Sequence, residues 1–492
     1  MLFKKTSSLL IVMMSLLCTS KSSAQEEVLE FTHSASHRID FDAGFTLANN
    51  ETGALGIFLL DDRQIHAYGV NERFGMFRKI EVVKQKSMFD NILAKRVNGE
   101  YFTLFFHSGN YKKISFFEFN FKRNTLTKNE LALNLKGQRI LTTYQESTNL
   151  KIVSLEKKEP IMWVHTINKD YKVASQKFDL SAIELVNTMG KDVQIHGLLG
   201  KKWNKVHSID IINSGLPVSL AESSATYKVY RQENTLLLTI DCNAETTQLV
   251  TLNLEDGTVA SKNYNKPKVD TGGFKGKTNS FLLGEHLAQI VVGNEALKVA
   301  VTNRITGEQV YTNTITKDTQ VVNSISTPFV ENKSWKDKNK LLSTKQFFRK
   351  IQMDEISITM DSNESSHQLT FGSWEKGVAS ASASSSVMAG IGANFGMAGV
   401  VLYLPIYQAV NPEFSSYASF ANGKQVKSDI ILSREFELER EGLPFSNLYD
   451  EMESFVRSDD NLSNIMFTAF QGGGLLSVYN SEFKTIHMHL FK

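Results

Sequence analysis

The chain has 492 residues, of which 54 are basic and 52 acidic, and its formal net charge is +2. Setting aside Lys4, Lys5 and Lys21 near the start leaves 51 basic against 52 acidic residues. This balance argues against nucleic acid as a partner, because a nucleic-acid-binding surface calls for a basic excess.

The first 24 residues have the composition of an export signal. Two lysines precede a short apolar run over residues 9–17, and Ser22 and Ala24 supply the small residues of a cleavage site after Ala24. The apolar run is too short to span a membrane. Lipidation at Cys18 is a weaker alternative, because a bulky leucine precedes that cysteine. We therefore expect a mature protein that is periplasmic or extracellular.

Cys242 is the only cysteine in the sequence after residue 24. An intrachain disulfide within residues 25–492 is thereby excluded, although export would permit one. We expect Cys242 to be a small buried side chain in a strand, and stability to come from a packed core.

Short aromatic and β-branched runs separated by turns dominate the rest of the sequence. The stretch YFTLFFHSGNYKKISFFEFNF, residues 101–121, predicts a hairpin around a Ser-Gly-Asn turn. Six similar hairpins are predicted over residues 54–70, 150–167, 235–254, 287–304, 356–374 and 465–483. Most have one further strand on each side, which gives four-stranded units that recur about every 45–50 residues.

This pattern resembles that of β-propeller proteins of the seven-bladed, exported type. The resemblance implies an all-β domain over residues 25–492, with seven four-stranded blades and helical or low-complexity loop insertions. It also implies that residues 26–41 complete the last blade and close the ring. The turns within residues 253–259 and 303–311 are interpreted as ordinary tight turns, in which glycine supplies a positive φ.

In a propeller, the connections between blades and those between the second and third strands of a blade share one face. Three long insertions are predicted between blades, over residues 180–224, 326–350 and 438–456. Within the second, residues 336–350 have the spacing of a basic amphipathic helix. Long loops on a rigid scaffold commonly carry binding sites, so this face is the predicted functional surface.

Four residues of these insertions are candidates for binding a ligand or partner. They are Trp203, His207, Trp335 and Lys336. The alternative is that both tryptophans anchor their own loops on the blades, which is a frequent role of aromatic side chains.

Residues 377–412 contain no charged side chain. We place the insertion, about residues 377–427, between the third and fourth strands of one blade, on the opposite face. Three hypotheses stay open: a low-complexity loop, an apolar patch for a partner or peripheral membrane contact through residues 387–407, and a buried plug. The patch would use Val387, Phe395, Val400, Val401, Leu402, Tyr403 and Leu404. No full transmembrane span is expected, because a single span would separate strands of one blade.

Three histidine pairs and two carboxylate pairs are candidates for chemistry. The pairs are His33 and His37, His196 and His207, His487 and His489, Asp61 and Asp62, and Asp459 and Asp460. Zinc takes three or four ligands, which no single pair supplies, and the aspartate pairs are typical of turns. We therefore assign no catalytic residue, metal ligand or cofactor, although strand alternation places His487 and His489 on one face.

These observations favour a non-enzymatic interaction platform of the cell envelope, with a protein or glycan partner. Two alternatives stay open. One is a hydrolase whose groups lie on the face with the insertions. The other is a structural envelope protein attached through the uncharged residues 377–412.

Overall fold

A computed structural model of the protein describes most of the chain after residue 24. The described ranges are residues 25–33, 43–60, 64–83, 92–199, 209–213, 215–270, 276–317, 325–332, 340–374, 425–440, 442–457, 463–480 and 483–492. Strands predominate in them, and their sheets are small and mostly antiparallel.

Five blades each contain four antiparallel strands that follow one another in the sequence; we number them as blades 1 to 5. Blade 1 contains β2 (Ala43–Ala48), β3 (Leu55–Leu60), β4 (Gln64–Val70) and β5 (Met76–Val83). Blade 2 contains β6 (Ile92–Asn98), β7 (Tyr101–His107), β8 (Ile114–Asn120) and β9 (Thr125–Leu131). Blade 3 contains β10 (Gln138–Glu146), β11 (Asn149–Glu156), β12 (Ile161–Ile167) and β13 (Val173–Asp179). Blade 4 contains β17 (Tyr227–Gln232), β18 (Thr235–Ile240), β19 (Thr246–Asn253) and β20 (Val259–Asn265), and blade 5 contains β21 (Lys277–Leu283), β22 (His286–Val292), β23 (Ala296–Asn303) and β24 (Gln309–Thr316).

The first strand of each blade lies at the centre of the molecule and the fourth at the rim. First strands of neighbouring blades contact each other, as β2 does with β6 and β6 with β10. The fourth strands are mostly exposed, whereas the second and third are almost entirely buried. This radial burial is the pattern of a β-propeller, and it confirms the predicted fold class. The number of blades in the whole chain stays a prediction.

Apolar side chains fill the spaces between neighbouring blades. Between blades 1 and 2 the core is rich in phenylalanine, with Phe58, Phe119 and Phe121 in mutual ring contact. The Phe121 ring lies directly on Gly69, so an added Cβ there would approach Phe121 within 2.5 Å. Each buried phenylalanine contributes about 1.5–3 kcal/mol to stability, so these interfaces hold the ring together.

Blade 7 joins the two ends of the chain. It contains β30 (Ser463–Phe470), β31 (Gly473–Asn480), β32 (Thr485–Phe491) and, at its rim, β1 (Gln25–Thr32). β1 pairs antiparallel with β32 from Gln25 opposite Phe491 to Thr32 opposite Thr485. The pairing confirms the predicted closure by the N-terminal stretch; residues 34–41 of that prediction lie outside the described ranges.

Blade 6 has a rim strand assembled from two separate segments. Its first three strands are β27 (Glu355–Ser362), β28 (Ser366–Trp374) and β29 (Gln425–Ser433). One end of β29 pairs with β25 (Val330–Asn332), which in turn pairs with β26 (Lys340–Leu341). The other end of β29 is followed by residues 437–440, which turn back along it: Glu439 N donates to Ile431 O, and Leu432 bridges to Leu438.

This arrangement corrects two of the seven predicted hairpins. Residues 356–374 and 465–483 form the first and second strands of their blades, not the second and third. Residues 375–424 therefore connect the second strand of blade 6 to the third. Such a connection leaves on the same face as those between blades, so the predicted position on the opposite face is wrong. The cause is that the rim strand of blade 6 comes from distant parts of the sequence, which shifts the strand count by one.

Within the described residues, four helices and a short ribbon lie in the insertions. They are α1 (Ile195–Leu199), α2 (Leu220–Ser223), α3 (Thr344–Met353), α4 (Leu448–Arg457) and the ribbon of β14 (Leu185–Val186) and β15 (Asp192–Val193). The predicted helix over residues 336–350 is wrong in its bounds. Ser343 and Gln346 form a capping box that starts α3 at Thr344, and Leu341 is exposed in β26. Within the described ranges, no helix combines the length and the apolar character needed to cross a membrane.

Candidate functional site

The candidate site is the face that carries the connections between blades, which we call the insertion face. The predicted binding residues Trp203, His207, Trp335 and Lys336 belong to these insertions but lie outside the described residues. The same is true of the predicted apolar patch, Val387, Phe395, Val400, Val401, Leu402, Tyr403 and Leu404. The structure describes other residues of the three insertions between blades.

The described residues 209–224 of the first insertion lie near the axis of the ring. Its strand β16 (Ile209–Ile212) adds in parallel to β17, at the inner edge of blade 4. Further along, α2 packs against β27 and β28 of blade 6, where Ser223 Oγ donates to Ile358 O at 2.5 Å. Blade 5 separates blades 4 and 6, so a segment that touches the inner strands of both lies across the axis.

The segment across the axis is tightly held. Ser219 caps α2 by accepting from Glu222 N at 3.0 Å, and Leu220 and Ser223 are buried. Earlier in the segment, Leu216 packs on the cluster formed by α4 and blade 7. The described residues of this segment therefore contact blades 4, 6 and 7, so they lie over the axis on this face.

A buried charge network lies where blades 4 and 5 meet on this face. Asp241 follows β18, and its carboxylate accepts from Lys228 Nζ at 3.0 Å, with Lys266 Nζ at 3.5 Å. It also accepts from the backbone N of Ser280 in blade 5 at 3.1 Å and from the Oγ of the same residue at 2.7 Å. Asp241, Lys228 and Lys266 are each at most 5% exposed, so the network joins two blades in a dry environment.

The two lysines control the ionisation of this carboxyl group. Burial alone would raise the pKa of Asp241, but the charges of Lys228 and Lys266 outweigh burial and hold the pKa well below its usual range. Burial lowers the pKa of Lys266, and Asp241 opposes that effect. A carboxylate held charged by two ammonium groups and by fixed hydrogen bonds is suited to structural support.

Asp210 has a different electrostatic environment. It lies on β16 opposite Lys228 in the ladder, close to the axis. Burial raises the pKa of Asp210 to about 7, and Lys228 opposes the rise only in part. A carboxyl group with such a pKa exchanges protons near neutral pH, which is the property of a general acid or base.

Several exposed apolar side chains lie on the insertions. Met189 lies between β14 and β15 and is 73% exposed, and Met353 at the end of α3 is 77% exposed. Leu341 and Leu443, in the second and third insertions, are 69% and 84% exposed. Exposed methionine side chains are frequent on surfaces that bind other proteins.

Of the three histidine pairs, the structure describes both members only for His487 and His489. His33 is buried, its Nδ1 hydrogen-bonds the Tyr68 hydroxyl, and its predicted partner His37 lies outside the described residues. His196 lies in α1, and its partner His207 is likewise outside the described ranges. His487 and His489 share one face of β32 as predicted, facing β1 residues Glu30 and Glu27 across the ladder.

Among the described residues, one group of three side chains has metal-ligand atoms within 4.8 Å of one another. It consists of Glu27 and Glu30 on β1 and His487 on β32. The sequence showed only the histidine pair, because the two strands come from opposite ends of the chain.

The sequence contained a clearer indication of the buried charge network. Lys228 is a lysine inside an apolar inner strand, and Asp241 is an aspartate directly after another apolar strand.

Comparisons with known proteins give no family. The chain matches no protein-family model and no curated protein. Among solved structures, a variant of the apocarotenoid oxygenase of Synechocystis aligns at 8% identity and a TM-score of 0.29, over 55% of this chain and 61% of that one. The cobalt-substituted form of the same oxygenase aligns at 9% identity and a TM-score of 0.29, over 55% of this chain and 60% of that one.

The WD40 domain of SCAP from fission yeast is also similar in part. It aligns at 11% identity and a TM-score of 0.31, over 70% of this chain and 66% of that one. The chain thus spans about three fifths of the length of the oxygenase chains. Similarity at these TM-scores carries no argument about function, and the propeller-like fold rests on the sheet order and burial described above.

Proposed function

We propose that this protein is an exported, non-enzymatic interaction platform of the cell envelope that binds a partner protein through its insertion face. The observation that carries the proposal is the combination of a filled axis with exposed apolar side chains on the insertions above it. Ser223 and Leu220 are buried in the segment that lies over the axis, while Met189 and Met353 are exposed to solvent.

The charge network supports this proposal. An enzyme site needs ionisable groups that can reach a substrate, whereas both charged groups here are buried and hydrogen-bonded. Asp241 accepts from Lys228, Thr247 and, in blade 5, Ser280, and Lys228 also donates to Ala225 O. A platform instead needs a rigid support beneath its loops, which buried bonds between blades supply. A glycan partner is an alternative outcome of the experiment below.

The experiment compares two sets of surface variants of the mature chain. The test variant combines Met189→Ser, Leu341→Ser, Met353→Ser and Leu443→Ser. The control variant combines Ile305→Ser and Val83→Ser. Ile305 is 59% exposed and lies in the turn between the third and fourth strands of blade 5, and Val83 is 69% exposed at the rim of blade 1. Each bait is crosslinked in native envelope extracts, and the captured species are identified.

We expect wild type and control to capture the same protein, and the test variant to recover at least about tenfold less, as loss of contact-surface side chains does at interfaces. A third bait lacking residues 378–411 measures whether the uncharged segment contributes on the same face. Equal capture by all baits, or capture of glycan alone, would contradict a protein platform on this face.

Export is part of the proposal and has its own measurement. The N-terminal segment supports cleavage after Ala24. N-terminal sequencing of the protein recovered from the periplasm or medium should give Gln25 as the first residue. A product that starts at Met1 in the cytoplasm would contradict export.

A hydrolase is the second candidate, favoured by one observation. Asp210, with its pKa near 7, is suited to proton transfer beside the axis. In this case Asp210→Asn abolishes turnover of a substrate panel without changing the thermal midpoint of unfolding. Under the platform proposal, neither wild type nor variant shows turnover, and Asp210→Asn leaves partner capture unchanged.

A further inference from the structure

The strands that close the ring carry four potential metal ligands on one face, and three of them converge. On β32, His487 and His489 are two residues apart and so point the same way. On β1, Glu27 and Glu30 are three apart, a spacing that normally places side chains on opposite faces. A bulge between Glu27 and Leu29 inserts one residue and brings both carboxylates to the histidine face.

The ligand atoms of this group converge. Glu30 lies directly opposite His487 in the ladder, and Glu27 Oε1 is 2.9 Å from His487 Nδ1. One ligand atom from each of Glu27, Glu30 and His487 lies within 4.8 Å of the other two. His489 does not join them, because its ring packs on Phe455 and its Nδ1 contacts the Gln25 amide at 3.3 Å.

The other nitrogen of His487 is also engaged. Its Nε2 lies 2.9 Å from Thr485 Oγ1, so the hydroxyl oxygen can accept the Nε2 proton. The Nδ1 atom faces the Glu27 carboxylate at 2.9 Å, so a metal ion that replaces the Nδ1 proton would have both atoms within reach. Metal-ligating histidines commonly have their second nitrogen fixed by such an outer hydrogen bond.

We propose that Glu27, Glu30 and His487 bind one divalent transition-metal ion, with Zn²⁺ as the reference ion, across the strands that close the ring. Two carboxylates and one imidazole form a donor set suited to Zn²⁺, and solvent completes the coordination because both glutamates are exposed. Bound metal links the N-terminal strand to the C-terminal one. The bound metal therefore stabilises ring closure and has no role in catalysis. This proposal does not depend on the proposed function.

The test uses the mature chain, freed of metal with a chelator, and ZnCl₂ as the titrant. Isothermal titration calorimetry gives stoichiometry and affinity, and Co²⁺ in place of Zn²⁺ gives a d–d absorption spectrum that reports nitrogen and oxygen coordination. We expect one site per chain and a thermal midpoint that rises with the logarithm of the Zn²⁺ concentration.

The variants are Glu27→Gln, Glu30→Gln and His487→Asn, and the matched control is Glu26→Gln. Glu26 is an exposed glutamate of the same strand that lies outside the ligand group. Each ligand variant should weaken Zn²⁺ binding at least about tenfold and remove the Zn²⁺-dependent rise in midpoint, whereas the control keeps both. Because Glu30 is exposed, the Glu30→Gln variant should fold normally. The test therefore stays decisive even if the His487→Asn variant does not fold.

Two outcomes would overturn the proposal. Wild type could bind no Zn²⁺ in the titration, in which case the three side chains form only a surface ion pair. Zn²⁺ could also bind equally well to all variants, which would place the metal elsewhere on the chain.

Discussion

Blades 2 and 7 differ in how the chain supplies their strands. Blade 2 is one continuous stretch from Ile92 to Leu131, closed by short turns. Blade 7 takes three strands from the C-terminal end and its rim strand, Gln25–Thr32, from the N-terminal end. Blade 6 goes further, since its rim is divided between residues before its first strand and residues after its third.

The difference shows where stability depends on distant contacts. A continuous blade can form by local pairing, which has a low entropic cost. Blades 6 and 7 form only when segments that are far apart in the sequence meet. We therefore expect loss of strand pairing in blades 6 and 7 to affect closure of the whole ring. Substitutions between continuous blades should lower stability by changing local packing or charge.

Removal of the closing strand should have the largest effect. A mature chain that lacks residues 25–33 loses the rim of blade 7 and the buried Phe31, and exposes the edge of β32. We expect loss of the cooperative thermal transition, measured by circular dichroism. Adding a synthetic peptide of residues 25–33 should restore it in part, because an isolated strand can pair with an open edge. An unchanged transition in the shortened chain would contradict ring closure by β1.

Neutralising the carboxylate between blades 4 and 5 should have the next largest effect. Asp241→Asn leaves Lys228 and Lys266 buried without a counter-charge, which costs about 3–5 kcal/mol in free energy of unfolding. Urea denaturation measures this change. The control Asp256→Asn alters an exposed turn residue whose Oδ1 accepts from Thr258 N, a bond that asparagine can keep, and should change stability by less than about 1 kcal/mol. Equal effects would show that the network is not structural.

Crowding between blades 1 and 2 gives a smaller effect. Gly69→Ala places a Cβ within 2.5 Å of Phe121, and the forced repacking should cost about 1–3 kcal/mol. Gly109→Ala is the control, since its Cβ would meet nothing within 4 Å and should change stability by less than about 0.5 kcal/mol. Denaturation midpoints compare the two, and identical midpoints would contradict the close packing.

A substitution at the divided rim of blade 6 should give the smallest loss of stability. Thr327 Oγ1 accepts from Asp429 N at 2.8 Å and donates to Asp429 Oδ2 at 3.1 Å. Thr327→Val should cost about 1–2 kcal/mol, because it leaves a buried N–H unpaired. Thr127→Val, on the exposed rim strand of blade 2, serves as control with little expected change. If both variants behave alike in urea denaturation, residues 325–332 do not complete blade 6.

The sequence predicted the continuous blades and missed the composite one for a physical reason. The Ser-Gly-Asn turn after Tyr101–His107 specifies its hairpin locally, so blade 2 was predictable. β25 has only three residues and pairs with β29 nearly a hundred residues later, and no local pattern encodes that pairing. This single omission moved residues 375–424 to the wrong face.

The candidate site was less predictable than the fold. Sequence placed function on the insertions, but the path of residues 209–224 across the axis depends on contacts with blade 6, such as Ser223 with Ile358. The metal-ligand group needed both the pairing of the chain ends and a one-residue bulge after Glu27. Neither is visible in composition or spacing.

Hydrogen–deuterium exchange of residues 216–225 tests the filled axis, on which the platform proposal depends. We expect these amides to exchange as slowly as those of the buried strand β7, while the exposed turn around Met189, in the same insertion, exchanges fast. Exchange over residues 216–225 as fast as at Met189 would mean that the axis is open, and would contradict the platform.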